Sequence, residues 1–158
     1  MIIFTLISWY NLTTKEITEL EMVDDLLLRR ILAAHSKTPK ELLYLETGNI
    51  PVRYILMARR INFLHYILNE NEDSLLHNFF EAQLKSPVKG DWVLRVKKDL
   101  EELEINLIFK EISRISKSDL KKIIREKVKS AAFIYLTELN LSHSKSIRHR
   151  KLKLQKYM

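Results

Sequence analysis

Asp24 and Asp25 are the first residues whose type and spacing suggest chemistry. Two adjacent carboxylates can hold divalent cations that clamp the attacking and leaving oxygens of a displacement. That role needs a tight hairpin after an apolar strand and further converging acids. Residues 13–21, TTKEITELE, are instead polar and helix-patterned, and no other acid is placed to complete a site. The pair therefore reads as two solvated acids early in an amphipathic helix, with a catalytic remnant as the competing idea. The histidines, His35, His65, His77, His143 and His149, show neither i, i+4 nor finger spacing. His65 falls on an apolar face and reads as a core residue. With Cys 0, disulfides and thiolate metal sites are excluded, which fits an intracellular chain, nuclear or cytoplasmic. The serines and threonines lack a glycine-rich nucleophile elbow, and no glycine loop could cradle a phosphate. The expectation is a non-enzymatic chain with no cofactor, no metal and no small-molecule substrate.

Positive charge is the stronger signal. Lys+Arg 27 against Asp+Glu 20 leaves +7 and a pI near 9.5, which favours a polyanion, nucleic acid before membrane surface. No apolar run approaches the roughly 18 residues of a membrane span, so no membrane partner is expected. From Ser142 onward Lys145, Arg148, Arg150, Lys151, Lys153 and Lys156, with His143 and His149, meet no acidic residue. This is a basic tail, 142–158, expected to be helical at best when bound. Arg53, Arg59 and Arg60 form a second basic group. Residues 38–68 could make a helix-turn-helix with these arginines toward DNA, although its second helix is very apolar. Phosphate contact by Arg59 and Arg60 competes with pairing to acids of the first helix. Trp92 reads as a core residue, with base stacking as the minor alternative.

The elements that must position these residues are helical. Gly 2 and Pro 3 in 158 residues, with 30% charged, predict an all-α fold, a single-domain multi-helix bundle over 1–141. Its organising stretch is Ser36 to Leu68. Thr38 is predicted to cap a short helix, with Pro39 at the first helical position and Glu41 reaching back to the cap. Gly48 ends that helix. Pro51 opens a long one whose apolar face carries Ile55, Leu56, Ile61, Leu64, His65 and Leu68, widened by Met57, Phe63, Tyr66 and Ile67. Before it, Thr13 and Glu16 form a capping box for a helix to about Ala34, with Ile17, Leu20, Val23, Leu27 and Ile31 as its buried stripe and Leu28 and Leu32 beside it. After it come helices at 73–84, with Leu75, Leu76, Phe79, Phe80 and Leu84, at 92–103 capped by Asp91, at 106–115 capped by Asn106, and from Ser118 to about Leu139. The last has Leu120, Ile123, Ile124, Val128, Ala131 and Ile134 inside. The apolar opening, Met1 to Tyr10, suits a buried strand or a helix end, and suggests a segment whose preceding partner is missing.

Several blocks carry a family resemblance. Leu28-Arg29-Arg30-Ile31-Leu32, the Ser36–Leu68 block and Lys89-Gly90-Asp91-Trp92 resemble the segment just downstream of the palm in LINE-type (non-LTR) retrotransposon reverse transcriptases. Trp9 and Leu12-Thr13 look like the start of the same segment. The likeness runs from about Trp9 to Tyr157 and is most specific over Ser36–Leu68. Met22-Val23-Asp24-Asp25 looks like the palm's paired-aspartate motif, but the resemblance assigns it to the helix after the palm. It implies a thumb-like or connecting helical part that supports a nucleic-acid duplex. The palm and the later cysteines of that family are missing, so the expected product is a non-catalytic fragment. It would bind nucleic-acid backbone without sequence specificity. The other expectation is a helical interaction module docking on a polymerase domain through the apolar surface near Met1 to Trp9.

Overall fold

With so few glycines and prolines, little in the chain opposes helix. A computed structural model describes residues 12–155, with side chains described for 12–144. Its helices are α1 Thr14–Ile31, α2 Lys40–Thr47, α3 Val52–Leu68, α4 Leu75–Lys85, α5 Trp92–Glu102, α6 Phe109–Arg114 and α7 Lys117–Gln155. No strand occurs among the described residues, and the helices form one all-α bundle. The segment Met1 to Tyr10 lies outside the described residues.

Local chemistry explains the helix ends. The Glu16 N–H donates to Thr13 Oγ1 at 3.3 Å, and the Thr13 N–H donates back to the Glu16 carboxylate at 2.7 Å. Gly48 closes α2 at φ 66, the left-handed conformation that costs glycine little. Four starts differ from expectation. Pro39, not Thr38, occupies the cap position of α2, and Glu41 turns into the bundle at 1% exposure instead of reaching back. Asp91 stands at the cap of α5 but spends its carboxylate on the Val88 N–H, 2.6 Å away, closing the loop before it. At α6 the cap position is Ile108, not Asn106, because Glu111 accepts the Ile108 N–H at 2.9 Å. At α7 Ser116 does the capping, its Oγ accepting the Asp119 N–H at 3.2 Å.

The centre of the bundle is α3, which touches α1, α4, α5, α6 and α7. Its Tyr54, Met57, Ile61, Leu64 and Ile67 meet Phe80 of α4, Val93, Val96 and Leu100 of α5, and Ile112 of α6. The other wall is α7, where Leu120, Ile124, Val128 and Ala132 are buried. A smaller core joins Leu28 of α1, Leu43 and Tyr44 of α2, and Leu136 of α7. Trp92 is half-buried, its ring edge-on to Phe63 at 5.6 Å and Phe80 at 6.5 Å.

The buried faces correct several expectations. On α1 the inner stripe is Ile17, Glu21 and Leu28, while Val23, Leu27 and Ile31 point outward, Ile31 at 76% exposure. Ile55 and Tyr66 of α3 and Leu75 and Phe79 of α4 are likewise exposed. On α7 the buried residues recur in steps of four through Leu136. Each step turns the stripe by about 40°, which carries it off Ile134 and onto Ala132. No glycine or proline follows Lys117 before Gln155, so α7 runs unbroken past Ser142. Residues 142–155 of the basic tail are thus the last third of a long helix, about 58 Å from end to end.

Candidate nucleic-acid interface

Neighbouring residues on a helix point about 100° apart, so Arg59 and Arg60 cannot share a face. Arg60 faces inward at 2% exposure. It makes a forked contact with Asp99 of α5: Nη2 donates to Oδ1 at 2.9 Å and Nε donates to Oδ2. Its Nη1 meets no acceptor. Burial pushes the Asp99 carboxyl above the ordinary range, and Arg60 pulls it back in part. The expectation that Arg60 contacts phosphate is therefore corrected: no nucleic-acid backbone reaches a guanidinium packed between α3 and α5.

Arg53 is engaged too. Its Nε donates to Glu21 of α1 at 3.2 Å, and its guanidinium lies 4.9 Å from the centre of the Tyr135 ring. Acids of the first helix do compete for the α3 arginines, but at Arg53. With Arg60 buried and Arg53 paired to Glu21, only Arg59 of the three arginines is exposed, so the helix-turn-helix reading loses the shared arginine face it requires.

Arg59 is exposed and makes no ion pair among the described residues. It borders a groove of about 440 Å³ between α3 and the start of α7, shared with Tyr66 and Lys117. Tyr66 is 52% exposed, and its ring stacks on Phe63 with centres 6.0 Å apart and planes 16° from parallel. The sequence carried a signal for this groove that charge counting passed over. Arg59, Asn62, Phe63, Tyr66, Asn69 and Glu70 fall at i, i+3, i+4, i+7, i+10 and i+11, one helical face with both cation and aromatic rings. Lys117 carried no such signal, because only the tertiary fold brings it there.

Lys145, Arg148, Arg150, Lys151 and Lys153 all lie along the α7 backbone, and residues 142–155 include no acid. Just before them His143 Nδ1 stands 3.3 Å from Glu41 of α2.

Asp24 and Asp25 sit in the middle of a helix, not at a hairpin. They are half-buried, not solvated: Asp24 accepts from the Tyr44 hydroxyl at 2.7 Å and Asp25 from Arg29 at 2.9 Å. Burial and the Asp24 bond push the Tyr44 phenol far up. No group of three or more His, Asp or Glu among the described residues is placed to hold a metal ion. His65, expected in the core, is instead half-buried at the edge of the groove between α3 and α7, with Nε2 2.9 Å from the Ile115 carbonyl oxygen. No helix among the described residues is long and apolar enough to cross a membrane. Compared with protein-family models, curated proteins and solved structures, the chain matches none.

Proposed function

We propose that this chain is a non-catalytic helical module that binds nucleic-acid backbone without sequence specificity, a remnant of the post-palm region of a non-LTR reverse transcriptase. The observation that carries the reading is the basic run of α7: five Lys or Arg between 145 and 153, and no acid from 142 onward, on one continuous helix. Arg59 and Lys117 extend positive charge onto the bundle. Such contacts act by displacing counterions from phosphates, which makes affinity steeply salt-dependent but indifferent to sequence. For about six phosphate contacts, affinity for a random duplex should fall by about a thousandfold between about 50 and 200 mM salt. Equilibrium titrations across that range test it, and a flat response sinks the reading.

A second reading, docking on a polymerase domain or another protein, is supported by α1. Met22, Val23, Leu26, Leu27 and Ile31 lie exposed along it, and apolar faces of this kind mark interaction surfaces. The surface first considered for docking, Met1 to Trp9, lies outside the described residues. Deleting 142–158 separates the two readings: nucleic-acid affinity falls if the first holds, and partner docking is unaffected if the second does.

A further inference from the structure

We propose that the outer face of α1 pairs with the same face of a second copy of this chain, the two helices antiparallel about a twofold axis level with residues 24 and 25. The inference goes beyond both readings above: it needs no nucleic acid, and it commits the α1 face to a copy of the chain itself. This face lies opposite the buried one. Ile17, Glu21 and Leu28 point into the bundle. At about 100° per residue, Glu19, Met22, Val23, Leu26, Leu27 and Arg30 gather on the far side. The four apolar members are each more than half exposed. Glu19, Val23, Leu26 and Arg30 follow one another in steps of four, three and four residues, the spacing of a seam between paired helices.

The ends of the seam point to its occupant. Glu19 stands at the N-terminal end and Arg30 at the C-terminal end, so the stripe runs acidic, apolar, basic. Among the described residues Arg30 makes no ion pair, and Glu19 makes one, with Lys15 at 3.9 Å and both side chains in solvent, a contact worth little. Glu19 and Arg30 lie equally far from the midpoint between residues 24 and 25, and so do Val23 and Leu26. A twofold axis there sets Glu19 against Arg30 of the second copy and Val23 against its Leu26, each contact made twice. Met22 and Leu27 close the two sides, each near its own counterpart. A parallel pair would bring Glu19 to Glu19 and Arg30 to Arg30, like charges face to face. The stripe is thus complementary to itself reversed, which is what selects a second copy over an unrelated partner. Contact through one helix of each copy is smaller than the roughly 1,200 Å² of a standard interface, and each copy carries +7. The dimer therefore forms at concentrations on the order of 100 µM.

The test is sedimentation equilibrium of the full chain, freed of nucleic acid, from about 5 to 500 µM. Salt of about 150 mM screens the repulsion between the net charges beyond about 8 Å. The mean mass should rise from one copy toward two across that range and stop there, because a twofold contact closes on itself. Leu26→Glu should stay a single copy throughout. At about 5 µM, where the parent is also a single copy, its denaturant midpoint should match the parent's, so that lost association is not lost folding. Glu19→Arg and Arg30→Glu should each weaken association about tenfold, because each brings like charges together at both ends of the seam. The two exchanges combined should restore it. A single copy up to about 500 µM would overturn the proposal and leave the face to a different protein. Association that survives Leu26→Glu, single exchanges without effect, or a double exchange no better than the single ones would overturn it as well.

Discussion

Removing the Arg60 guanidinium would strand Asp99, a carboxylate 3% exposed, among apolar neighbours of α3 and α5. Breaking one side of a buried pair costs about 3–5 kcal/mol, whereas replacing both sides with apolar groups of similar volume costs far less. Arg60→Ala should therefore lose about that much in urea unfolding, and Arg60→Met with Asp99→Leu should recover most of it. The loss also has a pH signature. Burial already raises the Asp99 carboxyl, and without Arg60 it rises further. A raised folded-state pKa adds stability below the unfolded value that disappears as pH climbs through the folded one. The Arg60→Ala deficit should thus grow from about pH 4 to pH 7. Tyr44 gives the alkaline counterpart. Its phenol, buried and donating to Asp24, is raised well above the ordinary value of 10.0. Its contribution is complete below that value and fades as pH rises toward the folded pKa, because only the unfolded chain releases the proton. Between about pH 10 and 12, Tyr44→Phe should lose less stability than the parent in the same unfolding assay.

At the scale of the element, α1 separates patterning from burial. Leu27 and Leu28 are neighbours, but Leu28 is buried against Tyr44 and Leu136 while Leu27 is exposed. Leu28→Ala should cost about 2–5 kcal/mol, and Leu27→Glu should change stability by no more than about 0.5 kcal/mol, both read from denaturant midpoints. A large loss at Leu27 would mean that the α1 face is covered in the folded chain. This helix also shows why its inner stripe was only partly legible. The buried face carries Glu21, Asp24 and Asp25, paired with Arg53, Tyr44 and Arg29 in turn. Periodicity counts only apolar residues, so it found Ile17 but ran on through Val23, Leu27 and Ile31, which point outward, and set the buried Leu28 beside the stripe. Where the inner face is purely apolar, as at Leu120, Ile124 and Val128 of α7, the pattern was readable. The Thr13 capping box and the Gly48 stop were readable for the same reason: their chemistry lies within a few residues. The fate of Arg60 depended on Asp99, 39 residues away, and nothing local announced that pairing. The α3 face of the groove left a helical spacing in the sequence, but Phe63 and Tyr66 were taken there for the buried stripe, and Lys117 left no signal, since the tertiary fold supplies it.

For the whole molecule, charge and helix continuity have a joint consequence. The last third of α7 gathers like charges, which repel one another along a helix, and its buried stripe ends at Leu136 among the described side chains. A polyanion that neutralises this run binds the folded helix better than the unfolded chain, in which the same charges are spread apart. Such a ligand stabilises the fold by about 2.7 kcal/mol at a hundred times its Kd. For a chain of this size that corresponds to a rise in Tm of about 5–11 °C. An oligonucleotide should therefore raise the thermal midpoint at low salt, and the rise should shrink as salt is added, because the affinity behind it shrinks. A full-length variant with Lys145, Arg148, Arg150, Lys151 and Lys153 replaced by Gln should match or slightly exceed the parent's own midpoint, since the repulsion is relieved, and lose most of the ligand-induced rise. Scanning calorimetry of both proteins, with and without oligonucleotide, measures all four midpoints. An undiminished rise in the Gln variant would move the binding surface off α7 and onto the bundle.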